Sequence, residues 1–106
     1  MTHAVYIFAT IRVKSDFFET ARAAIARIVA PTLREEGCQR FSLFTSQAEP
    51  NTLHLYETFD NEEALSYHYA QTYTREVFEA YREWLAEPVI IQKLTPVALQ
   101  LQEEQA

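Results

Sequence analysis

The chain has 106 residues, of which 48% are hydrophobic and 13% aromatic, which is enough apolar material for one folded domain and too little length for two. Its 15 acidic residues outnumber its 9 basic ones and give a formal charge of −6. This balance argues against a nucleic-acid partner, because phosphate backbones are bound by clustered Lys and Arg. No stretch approaches the roughly 18 apolar residues of a membrane span, so no membrane partner is expected.

The N-terminal segment and the cysteine content bear on location. Residues 1–10 carry no basic stretch before their apolar run and no small-residue cleavage site, so we expect a strand there and not a signal peptide. Cys38 is the only cysteine, which excludes an internal disulfide and a cysteine-based metal site. We therefore predict a cytoplasmic protein in which Cys38 is a small core residue.

The first predicted elements are a strand and a long helix. Residues 5–13 are rich in β-branched and aromatic side chains, and both alternating sets contain apolar members. This pattern predicts a strand that is covered on both faces. Apolar residues at helical spacing over 18–33 then predict a helix, with Ser15 or Asp16 as its N-terminal cap.

Two residues are expected to interrupt and end this helix. Pro31 falls inside the helical pattern and removes one backbone donor, so a bend or break near Ala30 is predicted. The remaining turn, residues 32–36, stops at Gly37, the only glycine in the chain. A left-handed helix cap is the conformation that glycine favours at such a position.

The middle of the chain predicts a β-hairpin. Residues 39–46 and 52–59 both alternate in polarity, and the turn-favouring loop 47–51 joins them. Strands two and three are therefore expected to be antiparallel neighbours. Asp60 and Asn61, which follow the hairpin, are good caps for a helix.

The last third predicts two helical stretches and a strand. One helix is expected over 62–70, and a second one leads from residues 72–74 through Leu85, with Pro88 marking its end. Residues 89–101 form the last strand region, and the Glu- and Gln-rich tail 102–106 is expected to be loose.

The element order β-α-β-β-α-β predicts an α+β fold of the ferredoxin-like, split βαβ kind, with helices on one face of an antiparallel sheet. No linker or repeat divides the chain, so we predict one domain over 1–106 with its core in 5–101. Strands one and four carry apolar side chains on both faces, which leaves an apolar face without helices. A second copy of the sheet is the simplest cover, so a homodimer is predicted.

Standard catalytic and cofactor motifs do not occur in the sequence. The sequence therefore predicts no protein-bound cofactor and no metal, and any activity must come from a pocket of aromatic residues with a few polar groups. His68 is the first candidate, because it shares a helical face with Leu65 and Tyr69 that should point towards the sheet. It would act as an acid, a base or an orienting group, and the alternative is a hydrogen-bonded core histidine.

Tyr81 and Trp84 lie one helical turn apart and would form a wall over the sheet. Plain core packing is the alternative for this pair. Their polar handles suit a flat, oxygenated organic ligand.

Three further polar residues leave alternatives open. Glu57 lies in register with apolar strand neighbours and is either a structural ion-pair member or a pocket carboxylate. His54 has no identifiable partner ligands, so we expect a half-exposed strand residue. Arg12 would form a surface or interface salt bridge, with contact to a ligand anion as the alternative.

Two stretches resemble one known family. Residues 28–41, Ile-Val-Ala-Pro-Thr-Leu-Arg-Glu-Glu-Gly-Cys-Gln-Arg-Phe, are similar to the first-helix-to-second-strand signature of the antibiotic biosynthesis monooxygenases. Leu-Tyr-Glu-Thr-Phe at 55–59, Glu-Ala-Leu at 63–65 and His68 resemble the third strand and the following helix of that family. The likeness spans about residues 6–99.

The resemblance implies a dimeric α+β barrel with a ligand cavity between the sheet and the helices of each subunit. It implies monooxygenase chemistry on quinols or polycyclic aromatics, in which the substrate supplies the electrons and neither metal nor flavin takes part. On this view His68 is the catalytic residue, and Tyr56, Tyr81 and Trp84 line the pocket of a small aromatic substrate.

Relatives with other activities resemble the sequence less. The haem-degrading ones carry an Asn where this chain has Ile11 and a His on the last helix, whereas residues 74–85 contain none. The isomerase-like relative that processes a phosphorylated autoinducer sugar shares the Glu-Glu-Gly helix end, but no basic cluster for a phosphate is evident. A non-enzymatic ligand-binding or stress-associated module is the remaining alternative.

Overall fold

The computed structural model describes residues 3–99 and shows a four-stranded sheet with helices packed on one side. The strands are β1 (Val5–Arg12), β2 (Cys38–Thr45), β3 (Thr52–Phe59) and β4 (Ile90–Leu94), and the helices are α1 (Phe18–Arg27), α2 (Val29–Leu33), α3 (Glu62–Ala70) and α4 (Thr72–Trp84). The strand order is β2-β3-β1-β4 and each neighbouring pair is antiparallel. This is the predicted ferredoxin-like α+β fold.

Side chains alternate between two faces of the sheet, as the pleat requires. The face under the helices carries the buried set of β1 and β3, which includes Ile7, Ile11, Leu53 and Phe59. The opposite face, called the open face below, carries three buried threonines, Thr10, Thr52 and Thr58, and is otherwise half-buried to exposed. Its other side chains include Tyr6, Phe8, Arg12, Ser42, Phe44, His54, Tyr56, Ile90 and Leu94.

The predicted capping of α1 is wrong. Ser15 and Asp16 lie in a short 3₁₀ turn, Ser15–Phe17, and Phe17 is the residue before α1. No side chain caps either start. The turn satisfies backbone groups through i→i+3 bonds such as Phe17 N–H to Lys14 O at 2.9 Å, which replaces the expected side-chain cap.

The predicted helix break occurs two residues earlier than expected, at Ile28. Pro31 lies in the first turn of α2. Backbone N–H groups of a first helical turn have no intrahelical acceptor, so the missing donor of proline costs little there.

Gly37 ends the connection after α2, but the left-handed cap predicted for it is wrong, because its φ is not positive. A Cβ on Gly37 would overlap the Cβ of Ala64 on α3. The Gly37 carbonyl also accepts a 2.8 Å hydrogen bond from Asp60 N–H. The glycine is therefore required by the close approach of this turn to α3 and not by its own backbone conformation.

The second half follows the prediction closely. Asn61 caps α3 by accepting a 2.8 Å hydrogen bond from Ala64 N–H, and the β2–β3 hairpin turns through Asn51 at φ 56°. The last strand is shorter than predicted and ends at Leu94, while residues 100–106 of the predicted strand and tail lie outside the described residues. The longest helix described, α4, has 13 residues, and no helix within 3–99 has the length and apolar character to cross a membrane.

Candidate functional site

A small cavity of about 30 Å³ lies between the sheet and the helices. Such a volume exceeds the about 10–15 Å³ that a cavity needs to hold one water molecule. Its wall is mostly apolar, with a few polar side chains from β3, α3 and α4. The lining residues are Ala9, Ile25, Ile28, Phe41, Leu55, Glu57, His68, Tyr69, Thr74, Val77, Phe78, Tyr81, Val89 and Ile91.

His68 forms a buried pair with Glu35. The imidazole Nδ1 lies 2.9 Å from Glu35 Oε2, and both side chains are nearly inaccessible, at 3% and 4% exposure. A carboxylate only accepts hydrogen bonds, so Nδ1 of His68 carries the donated proton. In neutral His68 the other ring nitrogen, Nε2, is then the acceptor.

Two hydroxyl groups complete this network. The Tyr73 hydroxyl donates to the same oxygen, Glu35 Oε2, and the Thr74 hydroxyl lies 3.5 Å from His68 Nδ1. The second oxygen, Glu35 Oε1, is buried and has no hydrogen-bond partner among the described residues. Glu35 therefore fixes the orientation of the imidazole through one oxygen only.

Three aromatic rings hold the His68 ring in place. The ring centroids of Phe41, Phe59 and Tyr69 lie 5.3, 5.1 and 5.8 Å from that of His68. Such tilted contacts are favourable and leave the imidazole few alternative rotamers. His68 is thus a well-packed core residue whose imidazole also lines the cavity.

Glu57 is the second ionisable residue of the cavity wall. It is only 6% exposed, and its Oε1 has no hydrogen-bond partner within residues 3–99. It takes part in none of the ion pairs found there. Burial, together with the nearby charge of Glu35, raises the pKa of Glu57 to about 7. The structure therefore favours the pocket-carboxyl alternative over the ion-pair one.

The two tyrosines of the wall remain neutral phenols. Burial and the charges of Glu57 and Glu62 raise the pKa of Tyr69 to about 12. Burial and the charge of Glu57 also raise the pKa of Tyr81 above its ordinary range. Within residues 3–99 no three His, Cys, Asp or Glu side chains gather as a metal site would need.

The structure brings two of the four predicted site residues to the cavity. His68 and Tyr81 line it, on α3 and α4. Trp84 does not, because it lies over a shallow groove towards α1, although its ring contacts Tyr81 at 6.4 Å between centroids. Tyr56 is on the open face, where Arg40 lies 4.7 Å over its ring, since neighbouring strand residues point to opposite faces.

The other polar residues singled out by sequence lie away from the cavity. His54 is half-buried on the open face, as expected, and stacks on Phe8 at 4.9 Å. Arg12 forms the expected salt bridge, 3.0 Å from Glu49. Cys38 is a half-buried free thiol, and burial raises its pKa to about 11.

Sequence reasoning missed Glu35 and Tyr73. Glu35 follows α2 in a turn, 33 positions before its partner His68. The available signal was helical spacing: Ile25, Ile28, Thr32 and Glu35 continue one buried stripe. A carboxyl in an apolar stripe indicates a partner inside the protein.

The family model of the antibiotic biosynthesis monooxygenases matches residues 4–86. The chain belongs to this family. An uncharacterized protein of Synechocystis sp. is 30% identical over 87 residues, which are 82% of this chain and 59% of the relative. This chain thus spans less than two thirds of that relative.

Solved structures share the fold over nearly the whole chain. The Mycobacterium tuberculosis protein Rv0793 is 25% identical and superposes with a TM-score of 0.85, covering 91% of this chain and 97% of that one. The protein SO0527 from Shewanella oneidensis is also 25% identical, with a TM-score of 0.82, and the match covers 89% and 91% of the two chains. These likenesses show that the fold is shared over nearly the whole length of both chains.

Proposed function

We infer that the protein is a monooxygenase that oxidises a small quinol-like or polycyclic aromatic compound with molecular oxygen. The observation that carries this proposal is the buried Glu35–His68 pair, whose imidazole lies on the wall of an apolar cavity. Such a pair is suited to take a proton from a hydroxyl group that is held away from water. Family membership supplies the oxygen chemistry.

His68 is the base in this proposal. Glu35 accepts from Nδ1–H, which leaves Nε2 of His68 to take the proton of a substrate hydroxyl. Glu35 then stabilises the imidazolium that forms, as a carboxylate does in other His-based catalytic sites. The phenolate is electron-rich enough to react with oxygen: one oxygen atom enters the ring, the other leaves as water, and the substrate is oxidised from quinol to quinone.

Phe78 is the proposed entrance to the site. A cavity that binds one benzene ring measures about 150 Å³, several times the volume present here. Phe78, which is 37% exposed, lines both the cavity and an open groove on the outside. Rotation of this side chain into solvent would join the two spaces, and Tyr81 and Val89 would then flank the substrate.

The test is oxygen uptake by metal-free protein with a panel of quinols and hydroxylated polycyclic aromatics. His68→Gln should lower kcat by about 10²- to 10⁴-fold, the usual contribution of a general base. Glu35→Gln should lower it as well, and Glu36→Gln, which alters the exposed neighbouring carboxyl, should not. Uptake no faster than with heat-denatured protein across the panel would count against the proposal.

A second experiment tests the entrance. Phe78→Ala should lower KM for the larger members of the panel more than for the smaller ones, because it removes the wall between cavity and groove. Tyr67→Ala, at an exposed position on α3, is the control. Equal KM changes in the two variants would contradict the assignment of Phe78.

The cavity volume favours one competing function, a non-catalytic module that binds a small ligand. Under this alternative the Glu35–His68 pair stabilises the fold, so His68→Ala would reduce stability and leave no activity to lose. A phosphorylated sugar is less well supported as a substrate, because Glu57 places a carboxyl on the wall and the described lining contains no Lys or Arg.

We also propose that two copies pair through the open face. Phe44, Ile90 and Leu94 are 46%, 42% and 45% exposed on it, and a second sheet would bury them. Phe44→Glu should shift the sedimentation coefficient to that of a 12.3 kDa monomer, whereas Leu33→Glu, at an exposed position on α2, should not.

The free thiol of the only cysteine supports a cytoplasmic location.

A further inference from the structure

Glu57 occupies a position where packing alone gives no reason for a carboxyl. It lies in the middle of β3, between Ile7 on β1 and Phe41 on β2, and is 6% exposed. A buried carboxyl without an ion-pair partner costs several kcal/mol unless it becomes neutral. An apolar residue of similar volume would fill the same space without that cost.

The groups facing Glu57 do not favour an anion. A carboxyl, an imidazole, two phenols and a thiol approach it from the α2–β2 turn, from α3 and α4, and from β2. They are Glu35, His68, Tyr69, Tyr81 and Cys38. None of the described lining residues is Lys or Arg, and burial with the charge of Glu35 raises the pKa of Glu57 to about 7. Below that pH the carboxyl is mostly protonated and is a hydrogen-bond donor.

We propose that Glu57 is a catalytic residue of this site, which donates a hydrogen bond from its protonated carboxyl to the oxygen of a bound phenol. The proposal rests on the proposed function for its role in turnover, but not for its role in binding. A neutral carboxylic acid in an apolar pocket stabilises an oxyanion strongly, because both groups are shielded from water.

The step balances with the groups present on the cavity wall. The substrate O–H bond breaks, its proton forms a bond to His68 Nε2, and its electron pair stays on the substrate oxygen. The O–H bond of Glu57 stays intact. Its hydrogen bond to the substrate oxygen becomes shorter when that oxygen becomes an anion. Glu35 accepts the hydrogen bond from His68 Nδ1 and Glu57 donates one to the substrate, so the two carboxyls have opposite roles set by their surroundings.

The test measures binding of 2-naphthol, a phenol that does not need to be turned over, by its fluorescence. Wild type and Glu57→Gln should bind it similarly at about pH 6, because both present a donor. At about pH 8 the wild type should bind about tenfold more weakly, since ionised Glu57 has lost its donor, while Glu57→Gln should be unaffected. Glu57→Leu should bind weakly at both pH values.

Infrared spectra give an independent readout. The carbonyl band of a protonated carboxyl should be present in the wild type at about pH 6, vanish at about pH 8, and be absent from Glu57→Gln at both. The proposal is overturned by unchanged pH dependence in Glu57→Gln, by wild-type affinity in folded Glu57→Leu, or by no binding to the wild type at about pH 6. If the predicted binding pattern is found without oxygen uptake, the hydrogen bond from Glu57 to the phenol is supported and the proposed monooxygenase function is rejected.

Discussion

Glu57→Gln should change how the stability of the protein depends on pH. The pKa of Glu57 is about 7 in the folded protein and 4.5 ordinarily, so the folded state holds this proton more tightly than the unfolded state. A raised carboxyl pKa contributes stability that is complete at low pH and is lost as pH rises from about 4.5 to 7. A shift of one pKa unit corresponds to about 1.4 kcal/mol. The contribution of Glu57 to the free energy of unfolding of the wild type therefore falls by about 2.5 kcal/mol between about pH 5 and pH 8.

The assay is urea unfolding of wild type and Glu57→Gln across this pH range. The amide does not titrate, so the difference in free energy of unfolding should shift by about 2.5 kcal/mol in favour of the variant as pH rises. Glu76→Gln, which changes an exposed carboxyl on α4, is the control. Parallel curves for wild type and Glu57→Gln would refute the reasoning.

Two further variants test the packing around the site. Gly37→Ala should lower the free energy of unfolding by about 1–3 kcal/mol, because its Cβ would overlap that of Ala64. Adding Ala64→Gly should restore part of the loss, and additive losses would contradict the clash. Tyr73→Phe should cost about 1 kcal/mol in urea unfolding, because it removes a hydrogen bond to Glu35. Exposed Tyr67→Phe should cost nothing measurable, and equal costs would contradict this role of Tyr73.

The parts of the fold that the sequence predicted well depend on local signals. The bounds of α3 follow from the Asn61 cap and the apolar spacing after it, and the hairpin follows from alternation around a turn-rich loop. The role of Gly37 could not be read locally, because the reason for a glycine is Ala64, 27 positions later. A single glycine after a helix fits a left-handed cap equally well, and only the tertiary contact distinguishes the two.

The face of β3 on which a residue lies decides whether its side chain reaches the cavity. The aromatic ring of Tyr56 suggests contact with an aromatic ligand. The other residues on its face of β3, however, are Thr52, His54 and Thr58. The set of Glu57 contains Leu53, Leu55 and Phe59, which is the more apolar of the two and hence the one that packs under the helices. The sequence therefore contained the information that a carboxyl belongs to the core face, although it did not show which residues it meets there.

Glu35 and Glu57 are both buried carboxyls with incomplete hydrogen bonding. Each carboxyl has one buried oxygen without a partner among the described residues, and each such atom costs about 1–3 kcal/mol. A small domain has only about 5–15 kcal/mol of stability in total. Glu57 lies on the cavity wall, where the proposed phenol would give its carboxyl a partner, whereas Glu35 contacts the imidazole of His68 and would act on a ligand only through it.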